Sequence, residues 1–241
     1  MSNNSHNKPL LDSSVNKQLP VWHPDMYRDF PGELGLARVK ELIEKGHDVN
    51  IVGRDGFTAL MLVIAYGDDT LINHKIVTEL LNHGADPNIG MHKYEKKTAL
   101  MYALKSRTVR HDGWYNDQDI LDTKHDIVLK LLMSGADVNA TDEDGKTPLM
   151  FAVKNYEFFL KTIKLLCFFG ANSEIRDKNG LTALDHLKSY YELIYKDSSY
   201  ETPIVKFLKT GCNQPKEGGK MSRRKRNKRT RKINHKKKSR V

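Results

Sequence analysis

The chain has 241 residues, 39% of them hydrophobic, and 40 Lys+Arg against 30 Asp+Glu, a formal net charge of +10. Lys216 to Val241 holds 14 of those bases and one acid, so this tail carries +13 and Met1 to Pro215 carries −3. The split excludes a folded domain with one broad basic face, and with no apolar run of 18 residues a transmembrane helix is excluded too.

Met1 to Pro24 is polar and carries Pro9, Pro20 and Pro24, which predicts a flexible leader without a signal-peptide core. Trp22 and Tyr27 are expected to fold back on the first helix. Next comes one theme in four copies: Val39, Leu42, Ile43 before Gly46; Ile76, Val77, Leu80, Leu81 before Gly84; Ile127, Val128, Leu131, Leu132 before Gly135; Thr162, Ile163, Leu166, Cys167 before Gly170. The spacing puts one apolar stripe on a helix, and the glycine suits the left-handed residue past its end. Each glycine opens a Gly-His-Asp-Val-Asn or Gly-Ala-x-x-Asn type of stretch, seen at Gly46, Gly84 and Gly135, with Gly170-Ala171-Asn172 as the fourth.

Twelve or 14 residues later a second theme starts with threonine: Thr58-Ala59-Leu60-Met61, Thr98-Ala99-Leu100-Met101, Thr147-Pro148-Leu149-Met150 and Thr182-Ala183-Leu184-Asp185. Threonine ahead of an apolar run caps a helix, and Pro148 has the fixed φ of a first helical residue. Asp55-Gly56, Asp144-Gly145 and Asn179-Gly180 mark tight turns between the themes, whereas the second copy has Lys96-Lys97. Thr202-Pro203 starts a closing helix that ends at Lys209.

The two themes together resemble the ankyrin repeat, with its D-x-x-G-x-T-P-L-H-x-A-A start and its later L-L-x-x-G-A-D-V-N. The resemblance covers about Phe30 to Gly211 and implies an all-α solenoid of about five helix-pair units, the first and last degenerate. The domains are then 1–24 as leader, 25–212 as repeats (units 25–52, 53–90, 91–141, 142–175 and 176–212) and 213–241 as a disordered basic tail. The threonines lie 40, 49 and 35 residues apart, against about 33 for the family. Much of the excess falls in an insertion around Arg107 to Thr123. Polar residues on the end units suit a stack whose outer faces meet water. Where the family has histidine after Thr-Pro-Leu, this chain has Met61, Met101, Met150 and Asp185, so the loop braces made by that histidine are in doubt and methionine is expected to fill the space by packing. The loose repeat lengths and the basic terminus are similar to ankyrin proteins of large DNA viruses or intracellular bacteria.

The resemblance implies a binding scaffold whose partner is another protein, held on the concave face at the hairpin tips. The matching positions are Arg54, Asp55 and Phe57; Tyr94, Glu95 and Lys96; Glu143, Asp144 and Lys146; Arg176, Lys178 and Leu181. Trp114 and Tyr115 in the insertion are either a partner anchor or a plug that seals the loop. Asn50 and Asn139 stand in Asp-Val-Asn, similar to ankyrin sites that an asparaginyl hydroxylase modifies. The tail bases Arg223, Arg224, Lys225, Arg226, Lys228, Arg229, Arg231, Lys232, Lys236, Lys237, Lys238 and Arg240 lack interleaved aromatics. They read as a nuclear or nucleolar import signal for an import receptor, as a sequence-independent nucleic-acid tether, or as a solubilising tail. A membrane patch is disfavoured, because the run has no apolar face.

No Gly-rich phosphate loop and no catalytic carboxylate pair is present, so the expectation is no enzyme, no cofactor and no metal. Asp185 and His186 are adjacent on a helix and point apart. Cys167 reads as core packing and Cys212 as exposed, with no disulfide framework. Two cysteines and no signal sequence suit an intracellular protein, nuclear or nucleolar in a eukaryotic host and otherwise cytoplasmic.

Overall fold

A computed structural model describes residues 33–53, 56–67, 70–90, 95–105, 117–154, 159–195, 203–210 and 212. The leader, Arg54, Asp55, Tyr94, Trp114, Tyr115 and the basic tail lie outside them. The described residues form nine helices and no strand: α1 Glu33–Glu44, α2 Ala59–Tyr66, α3 Thr70–Asn82, α4 Ala99–Leu104, α5 Asp117–Met133, α6 Pro148–Val153, α7 Phe159–Phe168, α8 Ala183–Tyr195 and α9 Pro203–Thr210.

Two rows of helices make the stack. The threonine-led helices α2, α4, α6 and α8 pack side by side in one row, and α1, α3, α5 and α7 in the other. Within a unit the rows meet as α2 on α3, α4 on α5 and α6 on α7, while α9 closes the end against α7 and α8.

The short threonine-led helices are covered from several sides, which explains their composition. Five consecutive residues of α2, Ala59 to Val63, are buried, a pattern expected of a helix with neighbours all round. The longer helices bury only a stripe. Ile76, Val77 and Leu80 on α3, Leu131 and Leu132 on α5, and Ile163 and Leu166 on α7 are all nearly inaccessible. Burying such a side chain contributes roughly 1.5–3 kcal/mol, so each stripe stabilises the stack by several kcal/mol. Gly46, Gly84, Gly135 and Gly170 close α1, α3, α5 and α7 with positive φ, where any other residue would be strained.

The helix starts are more varied than the shared threonine suggests. Thr58 and Thr147 accept the N–H of Met61 and Met150 on their hydroxyls. The methionine sulfurs reach back to the threonine N–H groups, at 3.4 and 3.5 Å. Methionine therefore bonds as well as packs, closing the start of the helix from the histidine position of the family pattern. Asp185 closes it more strongly, since its carboxylate accepts both the N–H and the hydroxyl of Thr182, at 3.0 and 2.7 Å. Thr98 makes no such bond: its hydroxyl is buried without a partner.

The cysteines are corrected by the structure. Cys167 on α7 is buried as expected, but it is joined to Cys212 by a disulfide, with the Cα atoms 4.8 Å apart. The pairing is not visible in a separation of 45 residues; it follows from α9 folding back on α7, with Ile204, Val205 and Leu208 buried.

Candidate interaction face

The tips of units 3, 4 and 5 are linked by backbone. The N–H of Glu143 donates to the carbonyl of Glu95 (3.0 Å), and that of Lys178 to the carbonyl of Asp144 (2.8 Å). The three turns thus form a continuous edge. Inside units 4 and 5 a buried aspartate holds the turn. Asp142 accepts the N–H of Asp144 (2.9 Å) and of Lys146 (2.8 Å). Asp177 does the same for Asn179 (2.9 Å) and Leu181 (3.0 Å), and takes His186 Nε2 at 2.7 Å as well. Burial alone would raise the Asp177 carboxyl, but the Leu181 N–H, the His186 ring and the Asn179 N–H outweigh it and leave it lowered. Asp185 and His186 each have a partner of their own, Thr182 and Asp177.

The expected tip residues among those described fall into three groups. Glu95, Lys96, Glu143, Asp144, Arg176 and Lys178 are exposed. Glu95 pairs with Lys97, and Asp144 with Lys146; each lysine holds its carboxylate below the ordinary value. The Arg176 guanidinium donates to the Gly180 carbonyl at 2.7 Å and so braces its own turn. Lys146 and Leu181 are half-buried. Phe57 is no tip residue at all: it is 7% exposed. Its ring lies 5.6 Å from that of Tyr66 and 5.5 Å from that of Tyr102, so it joins units 2 and 3 from within.

Several residues of the face carry no catalytic or tip motif. Tyr102 is half-buried, and burial, then the Glu95 charge and Tyr66, push its phenol up to about 12. Lys97 is buried, with Nζ 5.8 Å from the Phe151 ring centroid, a cation–π contact between units 3 and 4. The sequence signal for this group was the repeated lysine ahead of Thr98 and Thr147.

Just ahead of the turns, asparagines connect successive units. Asn50 Nδ2 donates to Gly84 O and its Oδ1 accepts the N–H of Asp86, at 3.0 and 2.7 Å. Asn88 repeats this with Gly135 and Asp137 (3.0 and 2.6 Å), and Asn139 with Gly170 and Asn172 (3.0 and 2.8 Å). The matching position after Gly170 is Glu174. The second-row helices add cross-links of their own: Lys75 to Glu33 at 2.6 Å, His74 to Asp126, and Lys161 to Asp122 at 3.1 Å. Among the described residues no helix is long and apolar enough to cross a membrane.

The profile of ankyrin repeats in three copies matches residues 33–112 and 120–214. Relatives include an ankyrin repeat protein of Fowlpox virus, 35% identical over 164 residues, which are 65% of this chain and 41% of that protein. An ankyrin repeat protein of Rickettsia bellii is 29% identical over 179 residues, 72% of this chain and 46% of that one. Protein glp-1 of Caenorhabditis elegans is 27% identical over 220 residues, 88% of this chain and 14% of that protein. The chain spans less than half the length of each of these relatives. Ankyrin repeats are protein–protein interaction scaffolds and are generally not catalytic. The matched profile, the two rows of helices and the phased threonine and glycine positions agree: this chain belongs to the ankyrin-repeat family.

Proposed function

We propose that the chain is a non-catalytic scaffold that holds another protein against its tips and the half-buried rings of Tyr102 on α4 and Phe151 on α6. The observation that carries this reading is the bonded edge from Glu95 through Glu143 and Asp144 to Lys178. A partner meets one continuous, pre-ordered surface there, so little conformational entropy is lost on binding. The basic tail acts in this reading as an address for nuclear or nucleolar import or as a nucleic-acid tether. Its 14 bases against one acid also favour a second reading, in which the tail is the main binding element and the repeats carry it.

Capture of partners from host-cell lysate by the full chain, in parallel with a chain ending at Gly218, tests both. The scaffold reading expects the shorter chain to keep its protein partners. Loss of every partner, with full-chain binding that falls steeply with salt, turns the assignment to the tail. A fluorescent fusion of each form in cells reads the address: nuclear accumulation is expected only with the tail.

A further inference from the structure

The two central units share a pattern that their neighbours lack. Glu95-Lys96-Lys97-Thr98-Ala99-Leu100-Met101-Tyr102-Ala103-Leu104-Lys105 aligns with Asp144-Gly145-Lys146-Thr147-Pro148-Leu149-Met150-Phe151-Ala152-Val153-Lys154. Both have an acid, a lysine before the cap, an aromatic four residues after it and a lysine three residues further on. In unit 2 the last three places hold Phe57, Leu62 and Ala65, and in unit 5 Leu181, His186 and Ser189. In the fold Lys97 lies over the Phe151 ring and Tyr102 meets Phe57, which leaves Lys105 and Lys154 as the part of the pattern that joins no units.

The second lysine stands three residues after the aromatic, at the C-cap just past the end of the short helix. Tyr102 and Phe151 are half-buried, and Lys105 and Lys154 are exposed. Tyr66 touches Phe57 and Phe57 touches Tyr102, which links units 2 and 3, and Lys97 over Phe151 links units 3 and 4. Lys97 and Lys146 are neutralised by Glu95 and Asp144. Lys105 and Lys154 have no ion pair among the described residues. Desolvation and the nearby Lys146 ammonium hold the Lys154 amine below its ordinary value, against the opposing pull of Asp177, Asp142 and Asp144.

We infer that the paired aromatic–lysine rows Tyr102/Lys105 and Phe151/Lys154 dock an extended acidic segment of a partner protein, its apolar side chains on the rings and its carboxylates on the lysines. This deepens the scaffold reading and rests on it. Packed helices lie roughly 8–10 Å apart, so the α2, α4 and α6 rows span roughly 20 Å, about six residues of extended chain. In an extended peptide that lays alternate apolar side chains on the rings, the intervening carboxylates point away from the rings, and the long lysine stems at the edge of the rows reach up beside the backbone to meet them. The lysines steer the encounter and set the sign of the partner, while the rings supply contact area.

The experiment selects peptides from a random peptide library on the full chain, the Lys105→Glu/Lys154→Glu chain, and a full-length chain with Arg223, Arg224, Lys225 and Arg226 changed to Ala. Acid-rich peptides with interspersed apolar residues are expected from the first and the third. A labelled alternating Glu-Leu peptide is expected to lose about tenfold or more in affinity on the Lys105→Glu/Lys154→Glu chain, and a Glu-Ser peptide of equal charge to bind weakly throughout. The milder Lys105→Gln/Lys154→Gln pair and circular dichroism separate lost contact from lost fold, and an alternating Lys-Leu peptide should gain affinity for the Glu pair. Selected peptides that bind the repeats but are neutral or basic, or that ignore Lys105 and Lys154, overturn this proposal and leave the scaffold reading standing. Selection that depends wholly on the tail bases, or that yields no peptide, overturns both.

Discussion

The turn of unit 3 and the turns of units 4 and 5 lead into the same kind of helix, but they are held differently. In units 4 and 5 a buried aspartate accepts two N–H groups of its turn, a glycine takes the left-handed position (φ 77° at Gly145, 75° at Gly180), and the threonine hydroxyl is used. In unit 3 two non-glycine residues, Glu95 (φ 63°) and Lys96 (φ 46°), take positive φ, and the Thr98 hydroxyl is buried with no partner. A shared motif therefore does not mean a shared strength. What keeps the unit 3 turn in place is external: the Glu143 N–H on the Glu95 carbonyl, and Lys97 pinned between Glu95 and Phe151. The cross-unit contacts thus supply the order that the local bonding of this turn lacks.

The comparison can be broken most severely at its saturated end. Asp177→Ala removes the acceptor for two N–H groups and leaves His186 buried without its partner. About 3 kcal/mol of stability should be lost, read by urea unfolding. The same carboxyl gives a pH signature. Its folded value lies below 3.8, so its contribution is complete above that value and is lost as pH falls through the folded one. The Asp177→Ala chain should lack this part of the acid dependence. Gly145→Ala comes next. An added Cβ would meet the Asp177 Cα and the Lys178 N at 3.3 Å, at a φ of 77°. A loss of roughly 1–2 kcal/mol is expected, with faster amide exchange at Lys178.

Smaller changes sharpen the contrast. Thr147→Val should cost about 1 kcal/mol through its lost cap, whereas Thr98→Val should be close to neutral, since that hydroxyl bonds to nothing. Equal costs in thermal melts would show that the two starts do not differ. Lys96→Gly should raise stability by about 0.5–1 kcal/mol, by removing a strained left-handed residue. A drop would mean that the Lys96 side chain does something the backbone does not reveal.

Much of the fold is legible in the sequence because it is local. The i, i+4 stripes ending at Gly46, Gly84, Gly135 and Gly170, and the threonines ahead of apolar runs, are set by helix geometry within about a dozen residues. The candidate face was legible only in outline. Glu95, Lys96, Glu143, Asp144, Arg176 and Lys178 are exposed as a turn position implies, but Phe57, also in a turn, is drawn into the core by Tyr66 and Tyr102. Phe57 differs from those charged residues in being apolar, and it stands directly before the capping threonine, where Lys97, Lys146 and Leu181 are also buried or half-buried.

The sequence by itself determined the period, the helix starts and stops, and the separation of a near-neutral body from a +13 tail. Only the tertiary structure decided what the repeats share with one another. The Asn50, Asn88 and Asn139 bridges, the Lys97–Phe151 contact and the Cys167–Cys212 bond all join residues of different helices or units. The reason is physical. A periodic pattern reports how a segment folds on itself, whereas the partner of a side chain 31 to 49 residues away depends on how neighbouring units are stacked.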